Sequence, residues 1–159
     1  MLKVLEGKRV TTYSFGNYSV VFRERSPKTA ASRLCIVEML DSSKTPIWRF
    51  HYFYGNGFCR LEDLEALNSS TKGTKKAAKE LDFLMYCAEK RMKSQGISNP
   101  KVRTHKAMAR FLHQRGWQRD MTQRIAYDMQ KALMGKIFAP SIMGANWRKR
   151  RVAARKSIR

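Results

Sequence analysis

The sequence reads as an α+β domain: an antiparallel strand meander, then helix, strand and helix, then a basic C-terminal tail. Residues 10–54 hold branched and aromatic runs punctuated by turn residues, which is strand grammar. From Thr74 to Lys93 the apolar residues instead recur at steps of three, four and seven, which is helix grammar. The chain has 159 residues, the size of one ordinary domain, and shows no internal repeat. Residues 1–134 are expected to form that domain and 135–159 the tail.

The strands come first. "RVTTYSF" and "YSVVFRE" flank Gly16-Asn17 and predict a hairpin. "SRLCIVEML" (Ser32–Leu40) predicts a third strand, and "DSSKTP" supplies the next turn. "IWRFHYFY" (Ile47–Tyr54) predicts a fourth, with Trp48, Phe50, Tyr52 and Tyr54 on one face and Ile47, Arg49, His51 and Phe53 on the other. An aromatic face beside an amphipathic helix predicts core; its alternative is a stacking platform for bases. "LEDLEALNSS" predicts one helical turn before a loop.

The helix that follows has a stripe of Ala77, Leu81, Leu84, Met85, Ala88 and Met92, with Asp82 and Glu89 assigned to other faces. Gly96 ends it. "ISNPKVRT" predicts a short strand, and Thr104 an N-cap for a helix "HKAMARFLHQR" that stops at Gly116. Residues 121–134 fit either a helix or a closing strand, and the periodicity leaves both open.

Charge is the dominant compositional feature. Residues 1–69 carry ten basic and seven acidic residues, a net of +3; residues 70–159 carry twenty-three and five, a net of +18. So uneven a field predicts a polyanionic partner, with nucleic acid first and an acidic protein or an anionic membrane surface as the alternatives. No apolar run approaches the roughly 20 residues of a membrane span, and "MLKVLEGKRV" predicts no secretory leader. Cys35, Cys59 and Cys87 are widely spaced, which predicts buried thiols in a reduced, cytoplasmic-type setting. No metal site is expected, because no thiol or carboxylate stands at ligand spacing beside His51, His105 or His113.

The order of "STKGTKKAAKELDFLMYCAEKRMKSQG" and "HKAMARFLHQRGW" resembles the GNAT superfamily of N-acetyltransferases over roughly residues 45–130. It also looks like small GNAT-like internal proteins of short-tailed phage virions, which implies a location inside a particle and other virion proteins as partners. In the family, a glycine-bearing loop before the long helix holds the pyrophosphate of acetyl-CoA. The resemblance therefore implies Ser70, Thr71, Lys72, Gly73, Thr74 and Lys75 as the cofactor loop. Physically, a phosphate there needs several backbone N–H groups and small side chains, and the lysines add charge. Ser70 stands where the family has Gln or Arg, and Lys75 where it has Gly or Ala. A plain helix start is the alternative reading of Gly73.

The family's general-acid Tyr falls at Leu112, which has no proton to give. Tyr127 is the substitute considered for it, and Glu38 is the carboxylate considered as base. The expected function is accordingly non-specific nucleic-acid binding without catalysis and with no cofactor. The alternatives are an acyltransferase using acetyl-CoA, and an interaction protein gripping an acidic partner. Phosphate contacts are expected from the tail, where Trp147, Arg148, Lys149, Arg150, Arg151, Arg155, Lys156 and Arg159 cluster, and from Arg103, Arg110, Arg115 and Arg119.

Overall fold

The computed structural model describes residues 1–25, 32–67, 74–120, 127–133, 135, 137 and 139–143. Six strands come before the first helix: β1 (Lys3–Glu6), β2 (Val10–Phe15), β3 (Tyr18–Arg25), β4 (Arg33–Leu40), β5 (Pro46–Gly55) and β6 (Phe58–Ala66). Then follow α1 (Lys75–Ser94), β7 (Lys101–Thr104), α2 (Lys106–Gln114), β8 (Gln118–Arg119) and β9 (Tyr127–Gln130). One nine-stranded sheet runs β1-β2-β3-β4-β5-β6-β7-β9-β8. Every pairing is antiparallel except β6 with β7.

The meander is two strands longer than the sequence predicts. β1 is a four-residue edge with every residue exposed, so it has no burial pattern to announce it. β6 occupies "FCRLEDLEA", where a helical turn was expected. Leu, Glu and Ala favour helices locally, but pairing with β5 along seven registered positions overrides that preference. The ambiguous stretch resolves into strand at β9, which pairs with β7 from Lys101↔Gln130 to Thr104↔Tyr127. Residues 121–126 lie outside the described residues.

The core sits between one face of the meander and α1. Tyr13, Val20, Phe22, Val37, Met39, Trp48, Phe50, Tyr52 and Tyr54 are buried with Leu81, Leu84, Met85, Ala88 and Met92. The aromatic strand is therefore core, as its pairing with an amphipathic helix predicts. Two side chains tie helix to sheet: Trp48 Nε1–H donates to Glu80 (3.3 Å), and Tyr52 O–H donates to Gln95 (2.6 Å). The other face of β3–β5 carries Arg23, Ile36, Glu38, Arg49, His51 and Phe53, exposed or half-buried. Further along, Ile142 and Met143 of a 3-10 turn pack against the core, and Lys93 Nζ donates to the Gly135 carbonyl (2.8 Å). No helix among the described residues is long and apolar enough to cross a membrane.

Candidate functional site

The one parallel pairing makes the site. β6 and β7 are registered only at Arg60↔Lys101 and Leu61↔Val102, after which the strands part. A bulge in β6 accompanies the parting: three steps from Glu62 to Glu65 oppose two from Arg49 to His51, and Asp63 takes φ 55°. The gap is a cavity of about 240 Å³. Leu61, Leu64, Val102, Phe50, Met85, Met108 and Leu112 give it apolar walls, and Asp63, Arg103, Thr104 and His105 supply polar groups. An apolar cleft with a few convergent polar atoms is the usual form of a small-molecule site.

α2 starts one residue later than the sequence predicts. His105, not Thr104, is the N-cap, and its Nδ1 accepts from the Met108 N–H (3.4 Å). That places His105 at the cavity rim. Leu112 is buried and faces the cavity, so the position where a proton donor was looked for contributes only apolar wall. Tyr127 stands opposite Thr104 on the neighbouring strand, under the Arg119 guanidinium at 4.7 Å, and does not line the cavity. Glu38 bridges Arg23 (2.6 Å) and Arg49 (3.1 Å) on the sheet surface, so that carboxylate is an ion-pair member away from the cleft.

α1 begins at Thr74, whose Oγ1 accepts from the Ala77 N–H (3.1 Å). Lys75, Lys76 and Lys79 are exposed there, and the first turn holds no acid. Helix dipole and lysines act with the same sign on an incoming anion. Thr74 and Lys75 are thus placed; Ser70, Thr71, Lys72 and Gly73 lie outside the described residues.

The arginines divide. Arg110 is exposed on α2. Arg103 is half-exposed and pairs with Asp128 (3.2 Å), as Lys101 does with Asp120 (3.4 Å). Arg119 is exposed and stacked on Tyr127. Arg115 corrects the sequence expectation: it is 0% exposed and cannot meet a phosphate. Its guanidinium grips Glu89 through two nitrogens (3.1 and 2.8 Å) and reaches Asp82. Glu89 also accepts from Trp117 Nε1–H (2.9 Å) and Lys131 Nζ (2.8 Å), while Lys131 donates to the Arg115 carbonyl (2.7 Å). Burial alone would raise the Glu89 carboxyl, but Arg115 and Lys131 outweigh it and hold it below the usual range. Asp82 and Glu89, which the apolar stripe leaves on other faces, are both fully buried. They lie one heptad apart in line with Met85 and Met92, a helical face turned inward, which is the signal that marked them. The tail residues from Trp147 to Arg159 lie outside the described residues.

Cys35, Cys59 and Cys87 are free and buried. Burial pushes the Cys35 thiol up to about 11 and Cys59 up to about 12, which leaves them inert as nucleophiles. Pairing of β5 with β6 does what linear spacing could not and sets carboxylates beside His51. Glu62 lies 3.7 Å from Nε2 and Asp63 3.7 Å from Nδ1. The three side chains come close enough to share an ion, a grouping the sequence spacing does not announce; the two acids face opposite ring nitrogens, and the Asp63 side chain is 81% exposed.

No family model matches the sequence, and no curated protein matches it. Among solved structures, the chain is similar to the PaiA N-acetyltransferase of Thermoplasma acidophilum, solved in complex with coenzyme A. The TM-score is 0.50 and the identity 19%, over 62% of this chain and 60% of that enzyme's. The fold of this chain is GNAT-like.

Proposed function

We propose that this chain is a GNAT-fold protein that holds nucleic acid by its phosphates, without base selectivity and without catalysing acyl transfer. The observation that carries the reading is the lopsided charge as the fold distributes it. Among the described residues, the +3 segment supplies β1 to β6 and the +18 segment supplies α1, β7, α2, β8 and β9. Lys75, Lys76, Lys79, Lys106, Arg110 and Arg119 are exposed there, and the basic tail continues from the same half. Lys and Arg neutralise phosphates and release counterions, a sequence-independent attraction. Catalysis lacks its proton donor at Leu112. The phage-like resemblance supplies a setting in which such a protein packs against DNA inside a particle.

A second reading rests on the cleft: an acyl-CoA ligand with its pantetheine arm between β6 and β7 and its phosphates at the α1 N-terminus. Thr74 and Lys75 then hold the phosphates, and His105 and Asp63 are the titratable groups nearest the acyl end. One experiment separates the readings. Nuclease-treated protein is titrated with a random-sequence DNA duplex from 50 to 200 mM salt, and separately with acetyl-CoA by calorimetry. The expected result is log K falling linearly with log salt, at about 0.9 per phosphate engaged, and no heat from acetyl-CoA. Lys106→Ala with Arg110→Ala should reduce the slope by about two. Salt-independent DNA affinity overturns the first reading. Micromolar acetyl-CoA binding that Gly73→Glu abolishes establishes the second. Displacement of DNA by an acidic protein points to a protein partner.

A further inference from the structure

We propose that this chain self-associates through the free edge of β1, as a two-fold antiparallel β1–β1 pair with Leu5 on the axis. Among the described residues, β1 pairs only with β2, so its other edge is open at the end of the sheet. An open edge presents unpaired N–H and C=O groups that template another strand. Its side chains add to the attraction: Leu5 is 73% exposed and Val4 40%.

The hydrogen-bond pattern determines which groups are free. Gly7 N–H donates to the Val10 carbonyl (2.8 Å), so Gly7 points its backbone toward β2. Alternation along an antiparallel pair gives Leu5 and Lys3 the same direction, opposite Thr12 and Ser14. The N–H and C=O of Val4 and Glu6 therefore face outward. In a two-fold pair, free-edge residues must oppose free-edge residues, which leaves three central registers. Glu6 opposite Glu6 sets like charges together. Val4 opposite Val4 sets Leu5 against Lys3. Val4 opposite Glu6 makes four backbone hydrogen bonds and puts Leu5 against Leu5 in the non-hydrogen-bonded position, where side chains come closest. Lys3 then stands opposite Gly7, and Glu6 opposite Val4 with its carboxylate 3.9 Å from Arg91 of its own chain, so no like charges stand directly opposite each other.

A chain of net +21 repels its copy, and the place of β1 in the sheet lessens that repulsion among the described strands. β1 is at one end of the sheet and β7-β9-β8 at the other. At roughly 4.8 Å per strand, the basic strands lie roughly 30–40 Å from the seam. That is several times the Debye length of about 8 Å at physiological salt. Among the described elements, pairing at β1 keeps the β7-β9-β8 strands of the two copies farthest apart, and Arg91 of α1, which lies beside β1, is paired with Glu6 and Glu24. The proposal does not depend on what those ends bind.

The test is sedimentation of the full, nuclease-treated chain from about 1 to about 200 µM, a range suited to a short seam. A monomer–dimer equilibrium is expected, and Leu5→Lys should weaken it at least ~10-fold. Leu5→Cys reads the register. In a non-hydrogen-bonded pair the Cα atoms stand about 4.5 Å apart, inside the disulfide window of about 4.4–6.8 Å. Mild oxidation should therefore link Leu5→Cys into a covalent dimer and leave Val4→Cys unlinked, against a background of three buried native thiols. A monomer throughout the range overturns the proposal. So does a dimer that Leu5→Cys does not capture, or one that Val4→Cys captures instead.

Discussion

Arg115 sits with Glu89, Asp82 and Lys131 in a fully enclosed group of two cations and two anions, with Trp117 as a neutral donor. Such groups contribute little net stability when complete and much instability when broken, because the partner left behind is a buried charge without compensation. Arg115→Met is expected to cost about 3–5 kcal/mol in urea unfolding. Its pH dependence has a definite sign. The folded Glu89 carboxyl lies below its unfolded value, so its contribution is full above about pH 4.3 and is lost as pH falls through the folded value. Melting temperature should drop steeply with acid in the parent chain, and Glu89→Gln should flatten that drop while starting from lower stability. An unchanged acid profile in Glu89→Gln would show that other carboxylates govern acid unfolding.

Among the elements, periodicity made the hairpin, α1, α2 and the buried face of β5 legible. It failed where partners decide. β6 is a strand because β5 lies beside it, and β1 is a strand with nothing buried to reveal it. The cleft is the clearest case: Phe50, Leu61, Met85, Val102 and Leu112 come from five elements, so no local spacing contains them. Arg115 is buried against expectation because a basic residue in a basic segment gives no sign of facing inward. Gly116, by contrast, was readable as a stop. It takes φ 86° directly after the α2 C-cap, a conformation that costs other residues about 1–2 kcal/mol. A Cβ there would meet only the Lys131 Cε at 3.8 Å. Gly116→Ala should therefore lose about 1 kcal/mol from conformation, with no clash, in urea unfolding. A loss of 3 kcal/mol or more would mean that the substitution also disturbs Lys131 and the buried charges it joins.

For the whole molecule, the proposed function makes the uneven charge of the sequence a source of self-repulsion that a bound polyanion would relieve. Inorganic polyphosphate at low salt is expected to raise the melting temperature through preferential binding to the folded state, by about 2.7 kcal/mol at a hundred times its dissociation constant. The rise should vanish near 1 M salt, where the screening length shrinks to about 3 Å. A rise that persists at high salt would mean the ligand is held by something other than charge.

The brevity of the β6–β7 ladder reaches further than the cleft it opens. β1 to β6 neighbour one another in sequence as well as in space, so each closes onto its predecessor over a short loop. β7 must wait for a connection that includes all of α1, and it is then received by only two registered positions. Chain growth and assembly order thus coincide for the first sixty-odd residues and separate after them. The late half joins a finished sheet through helix packing and enclosed charge more than through strand hydrogen bonds. A nascent chain paused between those stages would present the buried face of its meander, Trp48 and Phe50 included, with no helix yet over it.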